Sequence, residues 1–162
     1  MNKYFIPELV PHFTATEYMV LMPVGILLVT ALLVLLLAAA YRPHHQLASR
    51  LCFLTSFLGL SLSLMSLPYM GHDAGILQNH IELNHGLKGI FSLVILGSLL
   101  ALGIVYIQDQ LQKFLPEFYA LTLFSLLGMF FIIFSKHMML TFIALELMSL
   151  SVYILVSLKR NN

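Results

Sequence analysis

Charged side chains are scarce in this sequence. Only 9% of its 162 residues are Asp, Glu, Lys or Arg, whereas a soluble globular domain carries roughly a quarter. Hydrophobic residues make up 60% of the chain, which excludes a disordered protein because disorder requires low hydrophobicity and high net charge. The net charge of +1 leaves no basic footprint for nucleic-acid binding. The composition therefore predicts an integral membrane protein.

Cysteine is almost absent, and tryptophan is missing altogether. The single thiol, Cys52, lies in an apolar run, so a disulfide framework and a cysteine zinc site are both excluded. Several metal-ligand types cluster within fourteen residues, but their spacing matches no metal motif. These residues are His72, Asp73, His80, Glu82 and His85. We therefore expect a solvated loop here and no metal site.

Long apolar runs account for most of the chain. About 20 helical residues, rising 1.5 Å each, cross the roughly 30 Å of hydrocarbon in a bilayer. Five stretches have that length: 18–41, 51–70, 89–108, 118–135 and 137–158. They are too long for barrel strands and lack a period of two. The sequence predicts an all-α polytopic bundle of about five transmembrane helices, forming a single domain over residues 1–162.

The distribution of Lys and Arg predicts the orientation, because basic residues favour the cytoplasmic side. One side of the membrane collects five: Arg42, Arg50, Lys113, Lys159 and Arg160. The other side collects three: Lys3, Lys88 and Lys136. We expect the amino terminus outside and the carboxyl terminus in the cytoplasm.

The connections between the spans are also informative. Residues 70–88 form the longest loop, which we expect on the outer surface. Pro116 followed by Glu117 is typical of a helix start, since proline fits the first turn and a carboxylate complements the positive end of the helix dipole. Residues 135–137 leave room only for a tight connection, so the last two spans should form an antiparallel hairpin.

Small residues recur at four-residue spacing in two spans. Thr55, Gly59 and Ser63 form one set, and Gly97 and Ala101 form the other. Small side chains allow the backbones of membrane helices to approach closely. Both sets are therefore expected to pack against neighbouring helices.

Glu146 is the one ionisable side chain deep inside a span. It lies about 13 Å along the helix from His137 and about 18 Å from Leu158. Ser149 and Tyr153 share its helix face. A charged group at this depth costs roughly 2.5–3.5 kcal/mol, so it usually faces a partner or a water-filled path. Two interpretations stay open: a proton relay, or a protonated glutamate that joins helices.

The lysines of the chain all flank the spans and leave Glu146 without a basic neighbour at membrane depth. A buried glutamate paired with a lysine can take up and release a proton, because desolvation raises the pKa of a carboxyl group and an adjacent cation lowers it. A proton-carrying role for Glu146 therefore requires another helix from outside this sequence.

The last third of the chain resembles a respiratory membrane subunit. Residues 116–119 read PEFY, residues 127–129 read LGM, and residues 140–150 read LTFIALELMSL. This combination is similar to subunit N of proton-pumping NADH–quinone oxidoreductase, respiratory complex I, the bacterial relative of mitochondrial subunit 2. The resemblance extends through the chain, but only over an amino-terminal portion of an antiporter-like subunit.

The resemblance implies that Glu146 corresponds to the family's buried glutamate and takes part in proton translocation. Family members have further spans that carry lysines, and this sequence stops before the next expected one. We therefore expect a truncated or split subunit. Its expected partners are the missing carboxyl-terminal helices, other membrane subunits and the lipid bilayer, without nucleic acid. The implied location is the bacterial inner membrane.

In this family, electrons pass from NADH to quinone in other subunits. FMN, iron–sulfur clusters and quinone are accordingly expected in partner subunits and none in this chain, which has no cysteine set and no glycine-rich nucleotide loop. The chain would then be an enzyme subunit without redox chemistry of its own. The alternatives are a subunit of a cation/proton antiporter or membrane-bound hydrogenase, a non-catalytic membrane scaffold, and an inactive pseudogene product.

Overall fold

The chain forms five long α-helices in the computed structural model, which describes residues 15–40, 45–70, 84–107 and 115–160. The helices are α1 (Ala15–Ala40), α2 (His45–Ser66), α3 (His85–Ile107), α4 (Leu115–Phe134) and α5 (Met138–Arg160). A short 3₁₀ turn, Leu67–Tyr69, follows α2 directly. Each helix contains a stretch long and apolar enough to cross a membrane. The predicted all-α membrane bundle is confirmed.

Hydroxyl groups within these apolar helices donate largely to their own backbone. Thr30 Oγ1 donates to the Ile26 carbonyl oxygen at 2.9 Å, and Thr122 Oγ1 donates to the Phe118 carbonyl oxygen at 2.8 Å. Ser98 Oγ bonds in the same way at 2.7 Å. Since hydrocarbon offers no hydrogen-bond partner, such local bonds let polar side chains lie inside a membrane helix.

The central helix is α4, which packs against all four other helices. Half of its spanning segment is buried, the largest share among the five described helices. Phe130 and Phe134 of α4 are buried and meet the edge of Phe91 of α3, with ring centroids 5.1 and 5.8 Å apart. These edge-to-face contacts hold α3 on one side of α4.

The α1–α2 contact depends on small side chains. Gly59 is buried, and a Cβ atom built there would overlap the side chain of Thr30 on α1. Nearby, Ser63 Oγ donates to the carbonyl oxygen of Pro23 at 3.4 Å. The predicted close approach is confirmed at Gly59 and Ser63, since a larger residue at either position would push α1 away.

A buried seam runs along α2 that the four-residue spacing did not reveal. Its members are small, buried and alternately three and four residues apart. They are Ser49, Cys52, Ser56, Gly59, Ser63 and Ser66. This spacing keeps one stripe of a helix facing its neighbours. Thr55 lies beside the seam, is only half-buried and donates to the Leu51 carbonyl oxygen.

The second small-residue set does not pack as predicted. Gly97 and Ala101 are exposed on α3, and a Cβ atom at Gly97 would meet nothing within 4 Å. The prediction that they allow close helix packing is wrong for the helices described, because α3 turns this face outward and packs on α4 through Phe91 instead.

The last two helices form a hairpin around a three-residue connection. Helix α4 ends at Phe134 and α5 begins at Met138. Within the connection, Ser135 Oγ accepts a hydrogen bond from the His137 amide at 3.1 Å and donates to the His137 carbonyl oxygen at 3.0 Å. The predicted antiparallel hairpin is confirmed, and the paired bonds of Ser135 fix its turn.

Candidate functional site

Helix α5 packs on α4 along one face only. Ala144 and Ser151 are buried there. Gly128 of α4 lies against Ala144 and Met148, since a Cβ atom on it would be 2.8 Å from the Ala144 carbonyl oxygen and 3.0 Å from Met148 Cβ. Just 11% of the α5 spanning segment is buried, the smallest share among the described helices. Most of α5 is therefore open to a neighbour.

Glu146 lies on the open side of α5. Glu146 is exposed in this chain, and Phe142, one turn earlier on α5, is 67% exposed. The spanning segment of α5 runs from Met138 to Ser157. At 1.5 Å per residue, Glu146 is about 12 Å from its start and about 17 Å from its end. The carboxyl group is thus carried near the middle of the span.

The two predicted companions of Glu146 lie on the same helix but are not bonded to its carboxyl group. Ser149 Oγ donates to the backbone carbonyl oxygen of Glu146 at 3.0 Å. Tyr153 is 69% exposed. Among the residues described, none donates a hydrogen bond to the Glu146 carboxylate. The three polar groups form a stripe along α5 and not a hydrogen-bonded chain.

The lysines whose side chains are described lie at the ends of spans. Lys88 is in the first turn of α3, where its Nζ donates to the carbonyl oxygen of Met70. Lys136 lies in the connection between α4 and α5. Neither is at the depth of Glu146, so a basic partner at that depth is absent from the described parts of the chain.

This geometry restricts what Glu146 can do. An exposed carboxyl group in mid-membrane costs roughly 2.5–3.5 kcal/mol unless it meets a partner or water. A helix packed on the open face of α5 could supply a basic group, a hydrogen-bond donor or a hydrated path. With a basic group, the carboxylate can hold and pass a proton.

Other ligand-type residues do not assemble into a site. No group of three His, Cys, Asp or Glu residues that could hold a metal occurs within the described ranges. Of the loop residues weighed above, only His85 is described, and it is exposed at the start of α3. His72, Asp73, His80 and Glu82 lie outside the described residues, as do all residues from 71 to 83 of the predicted outer loop.

Gly128 is a positioning residue that the sequence-based predictions miss. It belongs to the LGM motif, and its missing side chain lets the α5 backbone approach α4. This approach turns Ala144 inward and Glu146 outward, because residues two apart point to nearly opposite sides of a helix. The available signal was a glycine in the middle of an uninterrupted apolar span.

Comparison with known proteins gives one consistent result, although no family model matches the chain. The chain is 31% identical over 150 residues to NADH-quinone oxidoreductase subunit N of Anoxybacillus flavithermus, which covers 90% of this chain and 30% of that protein. It is 35% identical over 147 residues to the subunit N of Buchnera aphidicola, covering 87% of this chain and 28% of that protein.

A shorter match has a higher identity, 45% over 49 residues, with subunit N of Neisseria gonorrhoeae, and it covers 30% of this chain. The chain spans about three-tenths of the length of the curated relatives that it matches over most of its own length. The resemblance to subunit N is confirmed over nine-tenths of the chain.

Proposed function

Since this chain is a relative of NADH–quinone oxidoreductase subunit N, we propose that it is a membrane part of such a complex and that Glu146 takes part in proton translocation. The observation that carries the proposal is an ionisable carboxyl group placed midway along α5, on the side that α4 leaves uncovered. Such residues in membrane helices are expensive and commonly mark ion or proton pathways.

In this proposal the chain contributes a proton-holding group and its support. The Glu146 carboxylate accepts a proton, and a basic group on a helix beyond the described residues stabilises the ionised form. Gly128 keeps α5 close to α4, so the carboxyl group stays at one depth. Oxidation of NADH and reduction of quinone would take place in partner subunits.

We further propose a location in the bacterial inner membrane with the amino terminus outside, which the bias of basic residues favours. Labelling with a membrane-impermeant thiol reagent tests the orientation, using Lys136→Cys in a Cys52→Ala background. Labelling from the outside of intact cells supports it. Labelling only after the cells are opened contradicts it.

The proton-transfer role is tested by Glu146→Gln in the assembled complex. Glutamine keeps the size and hydrogen bonding of glutamate but cannot ionise. We expect proton pumping to fall at least tenfold per NADH oxidised, while the amount of assembled complex stays within a factor of two. Glu117→Gln is the matched control, since Glu117 is exposed in the first turn of α4, at the end of a span.

The scaffold alternative makes the opposite prediction. If Glu146 only joins helices, Glu146→Gln leaves pumping near normal, whereas Glu146→Leu reduces assembly because it removes the interhelical hydrogen bond. Normal pumping by Glu146→Gln would contradict the relay. The genes encoded beside this one would separate the oxidoreductase from an antiporter or a membrane-bound hydrogenase.

A further inference from the structure

A second feature of the bundle is a cavity of about 420 Å³ between the end of α2 and the start of α3. It lies at the opposite end of the bundle from the amino terminus of α4. Its walls differ in polarity. One wall comes from α2 and its 3₁₀ turn and is apolar, and the other comes from the first two turns of α3 and is polar. The wall residues are Leu64, Leu67 and Pro68 on one side and His85, Lys88 and Ser92 on the other.

The polar wall holds a positive charge at a defined place. Lys88 Nζ donates to the carbonyl oxygen of Met70, and Met70 is only 1% exposed. The ammonium group is therefore tethered to backbone that is itself buried. His85, one turn earlier on the same helix, adds a second nitrogen-bearing side chain at the cavity.

The apolar wall and the space beside Lys88 suit a hydrocarbon chain. Leu67 is buried and Leu64 is half-buried, so the wall they form is continuous with the core of the bundle. Gly89 also lines the cavity, and a Cβ atom there would meet nothing within 4 Å. The cavity is therefore open along α3, beneath the charged group.

The depth of the cavity matches the boundary between hydrocarbon and headgroups. The spanning segment of α3 begins at His85, and that of α2 ends at Tyr69. A ligand here would have its polar part among the headgroups and its apolar part in the hydrocarbon, which extends about 30 Å between the two boundaries. Phospholipid is the molecule with that distribution at this depth.

We propose that the cavity binds one membrane phospholipid, with its phosphate beside Lys88 and an acyl chain along Leu64 and Leu67. A phosphate oxygen accepts strong, charge-assisted hydrogen bonds from an ammonium group. This proposal is independent of the role of Glu146, which lies on another helix in mid-membrane.

The test measures the phospholipid retained by the purified 162-residue chain, using native mass spectrometry after titration with phosphatidylglycerol. Lys88→Gln should weaken retention about fivefold, the effect of one basic residue near an anionic lipid. Lys136→Gln is the matched control. It removes a lysine from the α4–α5 connection, at the same end of the bundle, and should leave retention unchanged.

Two further probes identify the source of the phosphate. Diacylglycerol, which has the chains without the phosphate, should be retained at least fivefold less than phosphatidylglycerol. Inorganic phosphate, which has no chains, should not displace the bound lipid. Equal retention of diacylglycerol, or displacement by inorganic phosphate, would overturn the proposal, as would equal losses in the two lysine variants.

A steric variant keeps the proposal testable if Lys88→Gln fails to fold. Gly89→Leu fills the open space while leaving the lysine and its tether in place. We expect this variant to keep its helical circular dichroism signal and to retain at least fivefold less phosphatidylglycerol than the parent protein. Undiminished lipid binding by a folded Gly89→Leu protein would overturn the proposal.

Discussion

Helices α4 and α5 are adjacent in sequence, separated by three residues, and both are long and apolar enough to cross a membrane. Their surroundings differ sharply. Half of the α4 spanning segment is buried, compared with 11% for α5. Helix α4 is the packing centre of the bundle, whereas α5 rests on it with one face and carries Glu146 on the other. Two helices of similar hydropathy therefore differ in burial: half of the α4 span is enclosed by the other helices, and most of α5 is exposed.

The largest expected effect concerns insertion of α5. Replacing Glu146 with Leu should favour membrane insertion by about 3 kcal/mol, because a mid-membrane ionisable residue is exchanged for an apolar one. This is a change of more than a hundredfold in the insertion equilibrium. The measurement is the inserted fraction of the α5 segment in a host membrane protein, read by glycosylation of its flanks.

Phe142→Leu is the control for that measurement, since it exchanges one apolar side chain for another on the same open face. Its effect on the insertion equilibrium should be under about 0.5 kcal/mol. If Glu146→Leu also inserted no better than the parent segment, Glu146 would not lie at the depth assigned to it.

The second prediction compares the two helices directly. Phe130→Ala on α4 should lower the free energy of unfolding in micelles by about 2–3 kcal/mol. This is less than the 3–5 kcal/mol typical of soluble cores, because lipid solvates an apolar side chain almost as well as the protein interior does. Phe142→Ala on α5 should cost under about 0.5 kcal/mol. Equal losses would mean that α5 packs inside the bundle.

The third prediction addresses the contact that joins the helices. Gly128→Leu should destabilise the α4–α5 hairpin by about 2 kcal/mol, since a side chain there meets the Ala144 backbone and must force the helices apart. Gly97→Leu, placed in open space on α3, is the matched control. The measurement is the free energy of unfolding in micelles, and an unchanged value in Gly128→Leu would contradict the contact.

The smallest expected effect is that of Ser149→Ala. The Ser149 hydroxyl is bonded to the backbone of its own helix, so its loss should change the free energy of unfolding of this chain by under about 0.5 kcal/mol. A larger change in micelles would reveal a contact of Ser149 within the chain that the structure does not contain.

The contrast between α4 and α5 explains what could be predicted from the sequence. The length and composition of the apolar runs are sufficient to predict five helices, because a membrane helix satisfies its backbone hydrogen bonds internally. The position of Glu146 along its helix follows from the same counting. These properties belong to single segments and require no knowledge of their neighbours.

Properties that depend on two helices were predicted less well. Gly59 and Gly97 have the same spacing to a small residue, yet one is packed against Thr30 and the other is in open space. The four-residue spacing alone does not distinguish them, because the difference lies in how α3 is rotated about its axis. The side to which Glu146 points likewise depends on Gly128, a residue of another helix.

The short turn at Ser135 has a consequence for how the protein is made. Three residues that are held by two hydrogen bonds give α4 and α5 little freedom to enter the bilayer at separate times. They should leave the translocon as a pair, so that α4, which has no charged residue from Phe118 to Phe134, compensates for Glu146 in α5. A newly made chain would in this way carry an acidic group into lipid before any other helix covers the open face of α5.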